Sequence, residues 1–157
     1  MRTIKILLGV AVAAVSISST LHAIALPATK SISAEIRSII PDLSSVMQIE
    51  MQLYDEARIM YAYLEHQRKK KKTGEVDYLY VKGAVKNLRN RILSGAVVIV
   101  DFMDNAGNVV AREQGSVIPR IIRLNGAKKG HFTVKTKYDP FITQCKIRLD
   151  WSGKEDD

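Results

Sequence analysis

Residues 96–110 decide the fold, and they read AVVIVDFMDNAGNVV. Mostly β-branched and aromatic residues, which favour strands, run from Val97 to Phe102, and β-branched residues resume at Val109. Between them, residues 104–108 read DNAGN, a composition that is typical of a tight turn. The stretch therefore predicts a β-hairpin at the centre of a mainly β domain.

Strand-forming segments and turn residues alternate on both sides of this hairpin. Short strands that are separated by turns about every 8–12 residues are typical of an antiparallel β-sandwich. The sequence therefore predicts such a sandwich over residues 76–152. Its six expected strands cover residues 78–87, 96–104, 109–112, 117–124, 131–138 and 143–151.

The last two predicted strands alternate apolar and polar residues. Opposite side chains of an antiparallel pair share a face, so Val134 is expected to face Ile147 across a final hairpin. The same pairing places Cys145 on the apolar face, as a buried thiol rather than as half of an interchain disulfide. On the outer face, Lys135 is then expected to lie opposite Lys146.

Three blocks of this region together resemble the FxLYD domain. They are residues 80–87 (YVKGAVKN), residues 98–110 (VIVDFMD followed by GNVV) and residues 124–132 (LNGAKKGHF). The sequence departs from the family's naming motif, because Phe102-Met103-Asp104 stands where Leu-Tyr-Asp is expected. The resemblance implies a small immunoglobulin-like sandwich of exported bacterial proteins, which acts as an interaction or accessory module and has no catalytic residues to carry over.

Residues 42–75 contain no proline or glycine before Gly74, and their apolar residues recur at spacings of three and four. This pattern predicts an amphipathic helix with a basic end, although residues 47–53 also alternate with period two, as in a strand. The helix either packs on the sandwich or associates with a partner or a second copy. The candidate partner-binding residues on its face are Val46, Ile49, Leu53 and Met60.

Residues 1–25 have the three parts of a secretory signal peptide: a charged start, an apolar run and an Ala-x-Ala site that ends at Ala25. Cleavage is expected after Ala25, with cleavage after Ala23 as the alternative. The apolar run is too short to span a bilayer, and no cysteine follows it for lipid attachment. We therefore expect a periplasmic or secreted protein that is not a lipoprotein. A linker at residues 26–41, with a short helix at 33–40, and an acidic tail at residues 153–157 complete the predicted organisation.

The formal net charge of +8 is unevenly distributed along the chain. Residues 68–152 hold eighteen positive and seven negative side chains, whereas residues 30–67 hold three and six. Such an asymmetry indicates either internal docking or an anionic partner, and a basic run can equally be a solvated helix end. The candidate anion-binding residues are Lys69, Lys70, Lys71, Lys72, Lys135, Lys137, Lys146 and Arg148.

Motifs for catalysis, cofactor binding and metal binding are missing from the sequence. His66 and His131 have no nucleophile or carboxylate at motif spacing, and turn formation explains the Asp and Asn residues at 104–108. We therefore expect no catalytic residues, no metal site and no small-molecule cofactor. Two functions remain: an exported binding module for a protein partner or its own copy, and an envelope protein that binds an anionic polymer or lipid headgroups.

Overall fold

The computed structural model describes residues 28–38, 46–88, 91–123 and 129–151. This part of the chain is mainly β and contains no helix. The predicted signal peptide at residues 1–25 and the acidic tail at residues 153–157 lie outside it. The strands are β1 (Ala28–Ser38), β2 (Val46–Leu53), β3 (Ala57–Lys71), β4 (Gly74–Asn87), β5 (Leu93–Ser94), β6 (Val97–Met103), β7 (Val109–Ser116), β8 (Ile121–Ile122), β9 (Gly130–Lys137) and β10 (Gln144–Asp150).

Eight of these strands pair in the order β7-β6-β10-β2-β1-β3-β4-β9, while β5 pairs with β8. Strand β1 joins two sheets, because residues 28–35 pair with β2 and residues 36–38 pair with β3. We call β7, β6, β10, β2 and the first part of β1 sheet A, and the rest of β1 with β3, β4 and β9 sheet B. The β1–β3 and β10–β2 pairings are parallel, and the other described pairings are antiparallel.

The inner faces of the two sheets share one hydrophobic core. Phe102 and Leu149 of sheet A and Leu64 and Val81 of sheet B are all buried in it. The free edges of the row also approach each other, since Ile118 and His131 exchange two backbone hydrogen bonds of 2.8 and 2.7 Å. The molecule is therefore sandwich-like and partly closed along one side.

The predicted helix at residues 42–75 is wrong over its described residues, which form β2, β3 and the start of β4. In β2, the buried side chains of Met47, Ile49 and Met51 alternate with more exposed ones, so the period-two pattern prevails. Residues 54–56 join β2 to β3 without proline or glycine, which is why the sequence shows no break there. The pairing of β2 with β1 and β10 supplies backbone hydrogen bonds that an isolated segment lacks.

The predicted domain boundaries also change. Residues 28–38 of the expected linker form β1, so the short helix predicted at 33–40 is wrong over its described residues. Strand β4 pairs with β3 along its whole length, from Lys71 with Gly74 to Ala57 with Asn87. Residues 76–152 are therefore not a separate sandwich, because β1, β2 and β3 belong to the same pair of sheets.

The central hairpin is confirmed by β6 and β7, which pair antiparallel around residues 104–108. The carboxylate of Asp104 accepts hydrogen bonds from the backbone N–H groups of Ala106 and Asn108, both at 2.9 Å. Gly107 has φ of 84°, a left-handed conformation that glycine adopts without strain. The Asp, Asn and Gly residues thus act as turn formers, as the sequence predicts.

The predicted final hairpin is wrong, because β9 and β10 lie in different sheets. Val134 pairs with Val81 of β4, and Ile147 pairs with Val100 of β6. Alternation fixes which face a residue occupies but does not specify its neighbouring strand. Cys145 is nevertheless buried, and burial raises the pKa of its thiol to about 12.

Two residues of the YVKGAVKN block hold sheet B to its surroundings. A Cβ atom on Gly83 would lie 2.3 Å from the carbonyl oxygen of Tyr61 and 2.6 Å from the ring of Phe132, so only glycine fits without a shift. The buried side chain of Asn87 donates hydrogen bonds to the carbonyl oxygens of Arg91 and Ile122, both at 2.9 Å. These contacts fix the end of β4 against the β5–β8 pair.

Candidate anion-binding face

The outer face of sheet B is built from alternate residues of β3, β4 and β9, because successive side chains of a strand point to opposite sides. Tyr78 and Tyr80 lie on the central strand, β4. The strand register places Lys137 beside Tyr78 and Lys135 beside Tyr80 on β9. The two tyrosines are thus at the centre of this face, while their inner neighbour Leu79 belongs to the core.

Lysine ammonium groups lie over both tyrosine rings. For Tyr78, the Nζ atoms of Lys71 and Lys135 are 5.3 and 4.8 Å from the ring centroid. For Tyr80, the Nζ atoms of Lys69 and Lys82 are at 5.4 and 5.6 Å. These distances are in the range of cation–π attraction. We call this set the lysine–tyrosine face: Lys69, Lys71, Tyr78, Tyr80, Lys82, Lys135 and Lys137.

The two outward tyrosines are only 6% and 8% exposed, although they lie outside the hydrophobic cluster between the two sheets. The lysines contact their rings from β3, β4 and β9, and aliphatic lysine stems can cover apolar surface while the charged ends stay in water. The rings therefore restrict the lysine side chains, and the lysines shield the rings. The face is an ordered cationic surface with an aromatic base.

Most of the positive charge on this face is not neutralised by nearby acids. Lys82 pairs with Glu65 at 2.5 Å. Lys69, Lys71, Lys135 and Lys137 have no carboxylate of the described residues within ion-pair distance. An anion at this face would therefore not have to compete with an existing acidic partner for these four ammonium groups.

The surplus charge also changes the acidity of Tyr78. A hydrogen bond with Lys71 lowers the pKa of the phenol, burial opposes this effect, and the charges of Lys71, Lys135 and Lys137 lower the pKa further. Three lysines from two different strands thus act on one ring. The tyrosine is an internal probe of the positive potential of the face.

Further cations continue the face along β4 toward its end. Arg58 of β3 and Lys86 of β4 are register partners on the same side of the sheet as Tyr80 and Lys82. Both side chains are exposed. At the register positions of β3, β4 and β9 on this side, seven cations stand against one carboxylate, Glu65. The cations are Arg58, Lys69, Lys71, Lys82, Lys86, Lys135 and Lys137.

The structure separates Lys146 and Arg148 from this surface, which corrects the prediction that they join Lys135 and Lys137. Both lie on the outer face of sheet A and have acidic partners there. Lys146 pairs with Glu50 at 3.0 Å, and Arg148 pairs with Asp101 at 3.1 Å. The error follows from the wrong final hairpin, since β9 and β10 are not neighbours.

The basic run at the end of β3 is divided by the same alternation. Lys69 and Lys71 lie on the lysine–tyrosine face, whereas Lys70 lies on the opposite side of β3 and Lys72 is in the turn to β4. Of the eight predicted anion-binding residues, the face therefore unites four. Sequence reasoning missed Lys82, although the period-two pattern Tyr78, Tyr80, Lys82 places all three residues on one side.

The predicted partner-binding residues do not form one surface. Ile49 is fully buried in the core, whereas Val46 is 67% exposed and lies on the other side of β2. Leu53 ends β2, and Met60 lies at a register irregularity of β3. A helical spacing of three and four residues scatters side chains over both faces of a strand, so the proposed helix face does not exist.

The described ranges contain no group of three or more His, Cys, Asp or Glu side chains that could hold a metal ion. His66 is buried against the ring of Tyr138, at 4.7 Å between centroids, with Asp77 at 3.7 Å. An open cleft of about 380 Å³ near the β6–β7 turn is lined by Asp104 and Phe141, among others, but Asp104 is already committed to the turn.

No helix of the described residues is long and apolar enough to cross a membrane. Comparison with models of known protein families, with curated proteins and with solved structures gave no match to this chain.

Proposed function

We propose that this protein is an exported, non-catalytic binding module that holds an anionic polymer on the lysine–tyrosine face. The observation that carries the proposal is the charge of this face and its continuation along β4, where seven cations stand with one carboxylate. Like charges on neighbouring strands are mildly destabilising, so a folded protein does not gain from them by itself. An anionic ligand would turn this repulsion into binding energy.

The tyrosines favour binding because they order the cations in advance. Lysine loses up to about 2 kcal/mol of side-chain entropy when it is immobilised. Contact with the rings of Tyr78 and Tyr80 restricts Lys69, Lys71 and Lys135 before any ligand arrives. Part of the ordering cost of binding is thereby already met in the free protein.

Export remains part of this proposal, on the sequence of residues 1–25. Strand β1 begins at Ala28, close to the expected cleavage site after Ala25. We further propose that the domain is an FxLYD-like, immunoglobulin-like sandwich. The packing of Gly83 and Asn87 supports this by giving two residues of the first resembling block definite structural roles. The parallel β1–β3 and β10–β2 pairings depart from a purely antiparallel sandwich.

Protein–protein contact through a helix face, the first of the two expected functions, does not support this proposal, because Val46, Ile49, Leu53 and Met60 do not share a surface. The anionic-polymer function does not depend on that helix. It depends instead on four lysines, two on β3 and two on β9, and these two strands flank β4.

Retention of the exported chain on immobilised heparin at increasing salt tests the proposal. The face variant carries Lys69→Gln, Lys71→Gln, Lys135→Gln and Lys137→Gln. The control variant carries Lys30→Gln, Arg120→Gln, Arg123→Gln and Lys129→Gln, which remove the same charge at exposed positions elsewhere. We expect the face variant to elute at much lower salt, with a salt dependence that is smaller by roughly 0.7–0.9 per lost contact.

Thermal unfolding of both variants, followed by circular dichroism, controls for folding. Equal loss of retention in the two variants would mean that net charge alone drives binding, and the proposal would be wrong. Retention of the face variant at the wild-type salt concentration would likewise exclude this face as the binding site.

A further inference from the structure

The cations of the lysine–tyrosine face and its continuation follow a line along β4. The register positions from Gly74 to Lys86 cover twelve residue steps, or roughly 40 Å at about 3.4 Å per residue. Every second residue of β4 has a cation on itself or beside it, with one exception at Ala84. In order, these cations are Lys71, Lys69, Lys137, Lys135, Lys82 and the pair Lys86 and Arg58.

The width of this cationic track is that of three strands. Lys69 and Lys71 on β3 and Lys135 and Lys137 on β9 flank β4, so the two lysine rows are separated by roughly 10 Å, twice the usual strand spacing. The ammonium groups of Lys69 and Lys71 reach along β4 to the rings of Tyr80 and Tyr78, so the positive charge is densest around these two rings. From there the cations continue through Lys82 to Lys86 and Arg58, roughly 27 Å from Tyr78 at about 3.4 Å per residue. This elongated distribution is matched to an extended, linear polyanion, because a compact anion at the two rings would leave Lys86 and Arg58 unused.

The one outward position of β4 that has no cation on it or beside it is Ala84, and an exposed aromatic ring lies next to it. Tyr61 pairs with Ala84 in the register and is 43% exposed. By contrast, Tyr78 and Tyr80 lie beneath ammonium groups and are almost fully covered. Successive bases of a single-stranded nucleic acid stack on successive exposed rings, but Tyr63, the next outward residue of β3, is only partly exposed, so Tyr61 is the one exposed ring among the described residues of this face. A sugar ring, which has an apolar face and needs only one platform, fits Tyr61.

We propose that the track binds a linear anionic polysaccharide, which lies along β4 with its acidic groups between the two lysine rows and one sugar ring on Tyr61. This inference rests on the proposed function and assigns its ligand class. The tyrosines have separate roles: Tyr78 and Tyr80 position lysines, whereas Tyr61 contacts the ligand. Export, which the first 25 residues predict, would bring the protein to the compartment where such polymers occur.

The first test measures the affinity of the exported chain for size-fractionated heparin oligosaccharides by calorimetry. We expect affinity to rise steeply with length until the oligosaccharide spans roughly 27 Å, from Tyr78 to Lys86, and then to rise only slowly. A single-stranded oligonucleotide, a linear polyphosphate and vesicles that contain anionic lipid serve as competing probes at matched ionic strength. Equal or tighter binding of any of these three would overturn the assignment to a polysaccharide.

The second test separates charge from aromatic contact. Tyr61→Ala is expected to weaken heparin binding about threefold to tenfold and to leave polyphosphate binding unchanged. Tyr78→Leu with Tyr80→Leu is expected to weaken both by a similar factor without a change in salt dependence, because these variants lose cation–π contacts but no charge. Tyr78→Phe with Tyr80→Phe keeps the rings and loses only the hydrogen bonds of the phenols, so it should retain most of the wild-type affinity.

These outcomes distinguish the inference from the proposed function. If Tyr61→Ala weakens heparin and polyphosphate equally, or neither, the polysaccharide assignment fails while the anion-binding face stands. If the four-lysine face variant binds every probe as the wild type does, both fail. Loss of the thermal transition in the leucine variants would leave the phenylalanine and Tyr61→Ala variants to decide the question.

Discussion

The outer faces of the two sheets use the same kinds of side chain in opposite ways. On sheet A, three cations stand with four carboxylates, and each cation pairs with an acid of a neighbouring strand. On sheet B, the cations outnumber the single carboxylate Glu65, and tyrosine rings rather than acids hold the lysines. Sheet A thus uses its cations to bind its own strands together, whereas sheet B keeps its cations available. The charged residues on the outer face of sheet A are Glu35, Glu50, Asp101, Arg112, Lys146, Arg148 and Asp150.

Asp101 illustrates how charges pair on sheet A, because one carboxylate serves two cations. It is 5% exposed and accepts hydrogen bonds from Arg112 on β7 and from Arg148 on β10. Burial alone would raise the pKa of this carboxyl, but the two guanidinium groups together hold it below its ordinary value. The acid therefore ties three strands together through charge-assisted bonds.

The largest effect that we predict on stability comes from neutralising this acid. Asp101→Asn leaves Arg112 and Arg148 without their shared anion, and should lower the free energy of unfolding by about 2 kcal/mol, less than for a fully buried pair because Arg112 is largely exposed. Glu65→Gln, the counterpart on sheet B, should cost under ~1 kcal/mol. Urea denaturation at neutral pH measures both. A larger cost for Glu65→Gln would break the contrast between the faces.

The stability that Asp101 gives to sheet A should also depend on pH. Because the pKa of Asp101 is lower in the folded than in the unfolded chain, its stabilisation is complete above the unfolded value of about 3.9 and is lost as pH falls through the folded value. Stability against pH should therefore fall more steeply in the wild type than in Asp101→Asn between about pH 5 and the folded pKa. Parallel acid limbs in the two proteins would show that another carboxyl dominates.

A smaller effect, with opposite signs on the two faces, is expected from neutralising lysines. Lys137→Gln should raise the free energy of unfolding by a few tenths of a kcal/mol, since repulsion within sheet B is relieved without loss of the ring contacts that Lys69, Lys71 and Lys135 make. Lys146→Gln should lower it by a similar amount, because Glu50 loses its partner. Melting temperatures at low salt and at high salt provide the test, and both differences should shrink as salt rises. Destabilisation by the sheet B change would contradict our view of that face.

The smallest predicted effect is a change in the pKa of Tyr78, which should depend on the lysines of sheet B and not on those of sheet A. Lys71→Gln should raise the pKa of Tyr78 toward its ordinary value, since the hydrogen bond and the charge that lower it are removed. Lys146→Gln, on the other sheet, should leave it unchanged. Spectrophotometric titration of the phenolate follows both, with Tyr78→Phe to assign the transition. A shift in the Lys146→Gln variant equal to that in Lys71→Gln would mean that the tyrosine senses net charge and not its local lysines.

Sequence reasoning found part of the site because charge and alternation are local properties. The excess of lysines after residue 68 and their period-two spacing in β9 could be read directly, and Lys69, Lys71, Lys135 and Lys137 do meet on one face. The helix assignment failed because residues 46–71 carry apolar residues at both helical and strand spacings. The absence of proline and glycine favours a helix over this segment, but the segment forms strands.

The sequence by itself determined the β-hairpin at residues 96–110, the inward placement of Cys145 and the positive charge of the second half of the chain. Each depends on residue type and on positions within one strand. Only the tertiary structure decided that β9 lies beside β4 and β10 beside β6, and that Lys82 and Arg58 extend the cationic track. The physical reason is that alternation determines which side of a sheet a residue faces, whereas the choice of neighbouring strand comes from core packing and backbone hydrogen bonding between distant segments.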